Sequence, residues 1–430
     1  MKVVIMAGGK GTRISSIACD IPKPMIKIQG KPVLEHEIEC LRAQGFSDFI
    51  ITVSHLGHMI MEYFGDGSRF GVKIEYFAEH IPMGNAGALF ELRDKLKDDF
   101  LLLNGDVIFD VDFSRMISYH KKKGGMVTLF THPNSHPYDS GLVLAEEDMS
   151  VSKWLTKEDE RPVWYKNRVN AGIHIMSPEV LEHFKRDGSA VSGSSVKIDL
   201  DRHLLKPLAG TGKMFCYDSP EYVKDMGTPE RFHAVNEDFR AGVIQAGNLK
   251  NPQKAVFLDR DGTINKYVGF LRNPDEFELL AGVAEAVRKI HSKGYLCIVI
   301  TNQPVIARGE VTVPELNMIH NKMETLLGYE GVYLDGLYFC PHHPHRGYEG
   351  EVRELKIECS CRKPKPGMLL QAADDFHIDL KESWMIGDGE NDIAAGRNAG
   401  CRTALIADRT EENYGQDVTV RSLLDFAEKL

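Results

Sequence analysis

Two short apolar runs constrain this chain more than anything else in it. Val3–Met6 and Ala255–Leu258 each read as a buried strand that breaks straight into a loop of glycine and charge. The first loop begins Ala7-Gly8-Gly9-Lys10-Gly11-Thr12-Arg13, and the second reads Asp259-Arg260-Asp261-Gly262-Thr263. An unbroken apolar strand needs cover on both faces, as in parallel sheets flanked by helices. The same rhythm follows each loop: a helix over Val33–Gln44 and a strand over Phe49–Val53, then a helix near Gly282–Ser292 and a strand over Leu296–Ile300. Strands alternating with helical patterns argue for βαβ units. The expected fold class is therefore α/β, with two Rossmann-like parallel-sheet domains in tandem, for which 430 residues suffice. Ala241–Lys254, with Gly, Asn and Pro and no periodicity, reads as the end of one domain and a linker. We expect domains over 1–242 and 253–430, with 243–252 between them.

Composition removes several functions. A net charge of −10 argues against a nucleic-acid groove, and no apolar stretch approaches membrane-spanning length. Neither nucleic acid nor membrane is an expected partner, and assembly into a homo-oligomer is left open. The opening Met1-Lys2-Val3-Val4-Ile5 runs directly into the glycine loop, from which we expect no cleavable leader and a cytoplasmic protein. Its eight cysteines should then be reduced, so the cluster Cys340, Cys359 and Cys361 points to metal and not to a disulfide.

In the first domain, Gly8–Arg13 follows a buried strand, and its glycines let backbone N–H groups approach a polyphosphate. Arg13 and Lys23 would neutralise a leaving pyrophosphate. Asn104-Gly105-Asp106 follows the strand Phe100–Leu103, at the sheet edge where α/β proteins bind ligands. Asp106 suits Mg²⁺, a cation that takes oxygen ligands. Asp225 would supply a second carboxylate, or else cap a helix starting near Pro229.

In their order and spacing, AGGKGTR, IPKPM, PMGNAGAL at Pro82–Leu89, NGD, NAGIHI at Asn170–Ile175 and KDMGTPE resemble the sugar-phosphate nucleotidyltransferases, over roughly residues 1–240. The resemblance implies a GT-A-like fold that holds a nucleoside triphosphate on Ala7, Gly8, Gly9, Gly11 and Thr12. It also implies Glu79 and Gly84 against the base, Asp106 and Asp225 on Mg²⁺, and Lys157 with Asn170 on the sugar phosphate. The family often has a Glu-Lys pair where this chain has Thr156-Lys157. The implied reaction is attack of a sugar 1-phosphate oxygen on the α-phosphorus, with no protein nucleophile.

In the second domain, Asp259 ends a strand and Asp261 lies two residues on, with Gly262 permitting the turn. Two carboxylates at this spacing suit a nucleophile and an acid/base flanking one phosphorus, with Mg²⁺ screening their repulsion. Thr301-Asn302 ends the next strand, Cys361–Gly367 (CRKPKPG) brings cations before a helix, and Met385–Ile393 (MIGDGENDI) ends another strand with Asp388. Strand and helix ends are where phosphate sites are built.

This set resembles the haloacid dehalogenase superfamily, and within it the branch of heptose-bisphosphate and histidinol-phosphate phosphatases, over about residues 253–410. The resemblance implies that Asp259 forms an aspartyl-phosphate and that Asp261 protonates the leaving oxygen and then activates water. It places Thr301, Asn302 and Lys363 at the phosphoryl oxygens and Arg362 on the substrate. The Mg²⁺ site falls on Asp259, Asp261 and Asp388. Pro304-Val305 stands where a small residue and glycine are usual. Cys340-x-His342 and Cys359-x-Cys361 give four ligands for a structural Zn²⁺, with His343 and His345 as competing ligands.

The two chemistries are consecutive. The expected function is a bifunctional enzyme of nucleotide-sugar synthesis acting on sugar phosphates and a nucleoside triphosphate. Resemblance favours D-glycero-D-manno-heptose 1,7-bisphosphate as substrate and GTP as the nucleotide. The alternatives are a mannose- or glucose-1-phosphate nucleotidyltransferase fused to a histidinol-phosphate-type phosphatase, or one domain that does no catalysis.

Overall fold

The computed structural model describes residues 1–8, 20–79, 83–186, 197–407 and 413–430, with backbone only over 183–186. It divides into two units. The first comprises Met1–Thr131, Gly141–Thr156 and Asn170–Asn248; the second comprises His132–Ser140, Lys157–Val169 and Leu249–Leu430.

The sheet of the first unit is centred on Lys2–Met6, which pairs in parallel with Phe100–Asn104 on one side and Asp48–Val53 on the other. Lys73–Ala78 extends it in parallel beyond Asp48–Val53. Val169–Met176 runs antiparallel to Phe100–Asn104, and Leu142–Ala145 with Val151–Leu155 form an antiparallel pair. The sheet is thus mixed, where the strand-and-helix rhythm led us to expect parallel pairing. Both faces are covered. Val3 and Ile5 enter one apolar cluster and Val4 the other, and Leu101 and Leu103 likewise face away from Leu102. Successive strand residues point to opposite faces, so a doubly covered strand reads as an unbroken apolar run.

The second unit holds a six-stranded parallel sheet in the order Gly336–Cys340, Tyr295–Asn302, Lys254–Leu258, Trp384–Gly387, Arg402–Ile406 and Val418–Val420. Val256 and Leu258 pack on one face, Ala255 and Phe257 on the other. Two segments of the chain's first half cluster here for a local reason. Glu324 and Thr325, on the helix Val313–Tyr329, accept the backbone N–H groups of Asn167 at 2.9 Å and Tyr165 at 3.0 Å. No pattern near residues 157–169 announces this.

The stretch read as aperiodic linker contains a helical turn, Val243–Ala246, whose Ile244 is buried with Val235 and Ile108. No helix among the described residues is long and apolar enough to cross a membrane.

Candidate active sites

In the first unit, Met6 and Asn104 are register partners on adjacent parallel strands, so the loops that follow them leave the sheet together. Gly105 passes close enough that a Cβ would lie 3.1 Å from the Met6 carbonyl. Asp106 emerges there and accepts from Lys23 Nζ at 2.9 Å, with the lysine side chain 13% exposed. Tyr222–Asp225 pairs antiparallel with Val107–Asp110, which sets Asp225 opposite Val107, and Met226 N donates to the Asp106 carbonyl at 3.2 Å. The two carboxylates expected to share a cation are therefore strand-end neighbours. Asp225 does not cap the next helix; Thr228 does, its side chain accepting from Arg231 N. Instead both Asp225 oxygens accept from Arg231 Nη1, at 2.7 and 2.5 Å. Burial would raise the Asp225 pKa, but Arg231, the Gly227 N–H and Lys23 outweigh it and hold the carboxyl below its ordinary value.

Gly8 accepts from Ser54 Oγ at 2.5 Å, and a Cβ there would lie 3.9 Å from Glu79 Oε1, so Gly8 and Glu79 stand side by side. Burial raises the Glu79 pKa against the pull of the Met83 N–H. Gly84, at φ +82°, packs so tightly on Ile198 that a Cβ would meet its carbonyl at 2.2 Å. Asn170 turns its Oδ1 to His174 Nε2 at 3.0 Å and to the Gly172 N–H at 3.3 Å. Lys157 lies in a segment that clusters with the second unit, and its ammonium contacts Asp139 at 2.7 Å. Gly9, Gly11, Thr12 and Arg13 lie outside the described residues.

Sequence reasoning missed Glu37, which sits inside an ordinary helical pattern. It is 1% exposed and accepts from Val107 N at 3.2 Å. Burial raises its pKa well above the ordinary value; the Val107 N–H opposes and Asp106 reinforces that shift.

In the second unit, Lys363 is 3% exposed, and its ammonium meets Asp259 at 2.7 Å, Asp392 at 2.6 Å and the Ile300 carbonyl at 2.8 Å. Burial pushes Asp259 up to about 7 despite Lys363, with Asp392 and Asp261 adding repulsion. Asp388 is pushed up to about 6, by burial first and then by Asp259. One oxygen from each of Asp259, Asp388 and Asp392 falls within 4.8 Å of the others. Three crowded carboxylates, with Asp259 and Asp388 raised, are a donor set that a divalent cation relieves. Gly262, at φ +83°, completes the cradle, since a Cβ would fall 2.0 Å from Asp388 Oδ2.

The Asp261 side chain is not in that carboxylate group. It accepts from Arg260 Nη2 at 2.9 and 2.7 Å, from Asn265 Nδ2 at 3.0 Å and from Gln303 Nε2 at 3.1 Å. Thr301 Oγ1 lies 2.9 Å from Gln303 Nε2. Asn302, expected at the phosphoryl oxygens, instead brackets the backbone of Lys363: Oδ1 accepts its N–H and Nδ2 donates to its carbonyl, both at 3.0 Å. Asp259, Asp261, Thr301, Arg362, Lys363 and Asp388 line one open cleft of about 250 Å³. Buried Pro304 and Val305 form part of its wall. Asp392 and Gln303 were not singled out from sequence. Asp392 was legible as a second carboxylate four residues after Asp388, where a helix begins.

Cys340, His342, Cys359 and Cys361 converge, with contacts of 3.2–3.6 Å among Sγ atoms and His342 Nδ1. The edge of a tetrahedral zinc–sulfur site is about 3.8 Å. Of the competing ligands, His343 directs Nδ1 toward the His345 carbonyl at 3.4 Å.

A family model described as nucleotidyl transferase matches residues 2–242, and one described as HAD-hydrolase-like matches residues 360–421. The D-glycero-beta-D-manno-heptose-1,7-bisphosphate 7-phosphatase of Salmonella typhi is 40% identical over 176 residues, 40% of this chain and 92% of the relative. That of Escherichia coli is 40% identical over 182 residues, 41% of this chain and 93% of the relative. A solved structure of HddC from Yersinia pseudotuberculosis is 25% identical, covering 55% of this chain and 99% of that one, with a TM-score of 0.46.

Proposed function

Because the chain belongs to the nucleotidyl transferase family through residues 2–242 and to the HAD-like heptose-bisphosphate phosphatases through its carboxyl-terminal part, we propose a bifunctional enzyme of nucleotide-sugar synthesis. We assign transfer to residues 1–242 and dephosphorylation to residues 253–430. The phosphatase removes the 7-phosphate of D-glycero-D-manno-heptose 1,7-bisphosphate. The transferase then couples the heptose 1-phosphate to GTP and releases pyrophosphate, giving GDP-D-glycero-D-manno-heptose. The observation that carries this reading is the convergence of Asp259, Lys363, Asp388 and Asp392 in a chain that matches the Salmonella typhi heptose-bisphosphate phosphatase over 92% of its length.

An Asp259 oxygen attacks the phosphorus, the bond from phosphorus to the sugar oxygen breaks, and Asp261 delivers the proton that oxygen needs. Asp261 then takes a proton from water, which attacks the aspartyl-phosphate, frees phosphate and restores Asp259. Thr301 and Lys363 hold the phosphoryl oxygens, and Arg362 at the cleft wall binds the rest of the substrate. In the first domain, Lys23 and Arg13 draw charge from the departing pyrophosphate while Ala7, Gly8 and Glu79 seat the nucleotide. Mg²⁺ supplies charge neutralisation at the phosphates when bound by Asp259, Asp388 and Asp392 in one domain and by Asp106 and Asp225 in the other. Zn²⁺ on the Cys340–His342–Cys359–Cys361 set fixes the loop that carries Arg362 and Lys363. We place the protein in the cytoplasm, where thiols stay reduced and available to a metal.

The deciding experiment supplies heptose 1,7-bisphosphate, Mg²⁺ and each of the four nucleoside triphosphates in turn. GDP-heptose together with inorganic phosphate is the expected outcome. Preference for histidinol phosphate in the first step, or no nucleotide sugar with any base, would overturn the proposal.

A further inference from the structure

Arg260 is fully buried, with 0% exposure, and a charge withdrawn from water needs partners. It has them on two sides. Nη2 donates to both oxygens of Asp261, at 2.9 and 2.7 Å, while Nη1 lies 3.2 Å from Nε2 of His320. An arginine keeps its protons, so Nε2 of His320 is the acceptor and the ring proton sits on Nδ1. His320 is itself 4% exposed, on the helix Val313–Tyr329. Gln303, 2% exposed, donates to Oδ2 of Asp261 from the other side at 3.1 Å, and its Nε2 also lies 2.9 Å from Thr301 Oγ1. N–H donors thus hold the carboxylate from the protein interior, and its exposed edge lines the cleft.

We propose that Arg260, His320 and Gln303 are positioning residues: His320 anchors the Arg260 guanidinium, and Arg260 with Gln303 aims Asp261 at the oxygen leaving the phosphoryl group. This rests on the phosphatase reading above and adds a consequence of its own. Correct aim matters only as far as the leaving oxygen needs a proton. A sugar alkoxide needs one; p-nitrophenolate, a stable anion, leaves without it.

The test compares first-turnover rates for heptose 1,7-bisphosphate and p-nitrophenyl phosphate, before the aspartyl-phosphate has to be hydrolysed. General acid catalysis is worth about 10²–10⁴-fold. We expect His320→Leu and Gln303→Leu to lose roughly 10- to 100-fold on the sugar phosphate and less than about threefold on p-nitrophenyl phosphate. His320→Gln, which keeps an acceptor, should recover most of the loss. Equal losses on both substrates would mean a merely structural role, and no loss on either would mean that Asp261 needs no such aim; both overturn the proposal. Wild-type protein inactive on both substrates would instead sink the phosphatase reading. Folding is checked by circular dichroism, and either leucine variant that folds carries the test.

Discussion

Replacing Lys363 by methionine keeps most of the side chain's bulk and removes its charge, together with its hydrogen bonds to Asp259, Asp392 and the Ile300 carbonyl at 2.6–2.8 Å. At 3% exposure, water does not take the ammonium's place. Breaking a buried ion pair from one side costs about 3–5 kcal/mol. At about 2–4 °C per kcal/mol for a domain of this size, the melting temperature of the phosphatase should fall by roughly 6–20 °C. The loss should depend on pH, with a definite sign. Asp259 already titrates at about 7, because burial outweighs Lys363, and without the lysine it moves higher. The unfolded carboxyl titrates at about 3.9. Between those values the folded state binds more protons, so its stability falls as pH rises toward the folded pKa. The gap between variant and wild type should therefore be wider at pH 8 than at pH 6. A protonated nucleophile that has also lost its countercharge should slow phosphate release by at least about 100-fold. Scanning calorimetry at the two pH values and a phosphate-release assay make the measurement. Release within tenfold of wild type, or a melting shift identical at pH 6 and pH 8, would show that Lys363 is not the countercharge on which Asp259 depends.

Gly262→Ala would put a Cβ 2.0 Å from Asp388 Oδ2 at φ +83°. We expect about 1–2 kcal/mol of backbone strain and roughly 100-fold slower phosphate release with nucleotidyl transfer unchanged, read by assaying both reactions on one preparation. Metal analysis should find one zinc per chain; Cys359→Ser should lose it and lower the melting temperature of the second unit. Burial pushes His174 down to about 3, against about 6.5 unfolded, so the unfolded state takes up the proton first as pH falls. This histidine should therefore cost the first unit about 2 kcal/mol between pH 6.5 and pH 5, read in urea titrations as the change in the wild-type minus His174→Gln difference, which leaves out the opposing gain from the raised carboxyls Glu37 and Glu79.

Much of this was legible in sequence because strand ends and loops sit next to each other in the chain. Asp259, Thr301 and Asp388 each follow an apolar run directly, and parallel pairing brings those ends to one sheet edge. The paired Cys-x-His and Cys-x-Cys spacing likewise named the four residues that converge. What escaped depends on contacts that no local pattern carries. Glu37 reads as one more acidic residue on a helix, and only the tertiary fold buries it next to Val107. Asn302 looks like a phosphate ligand until the Lys363 backbone is found bracketed by its amide, 61 residues along the chain. The antiparallel strands of the first sheet escaped because an apolar strand covered on both faces carries no mark of its direction. Residues 157–169 gave no sign that their backbone would be capped by Glu324 and Thr325.

Cys361, Arg362 and Lys363 are consecutive, so the sulfur cluster and the ammonium beside Asp259 share one short piece of backbone. A change at those sulfurs, by oxidation or by metal, would reach Asp259 through Lys363, two residues along the same backbone. Among the described residues, Asp106 and Lys23 have no such tether to sulfur. Thiol oxidation should therefore slow phosphate release before it slows nucleotidyl transfer.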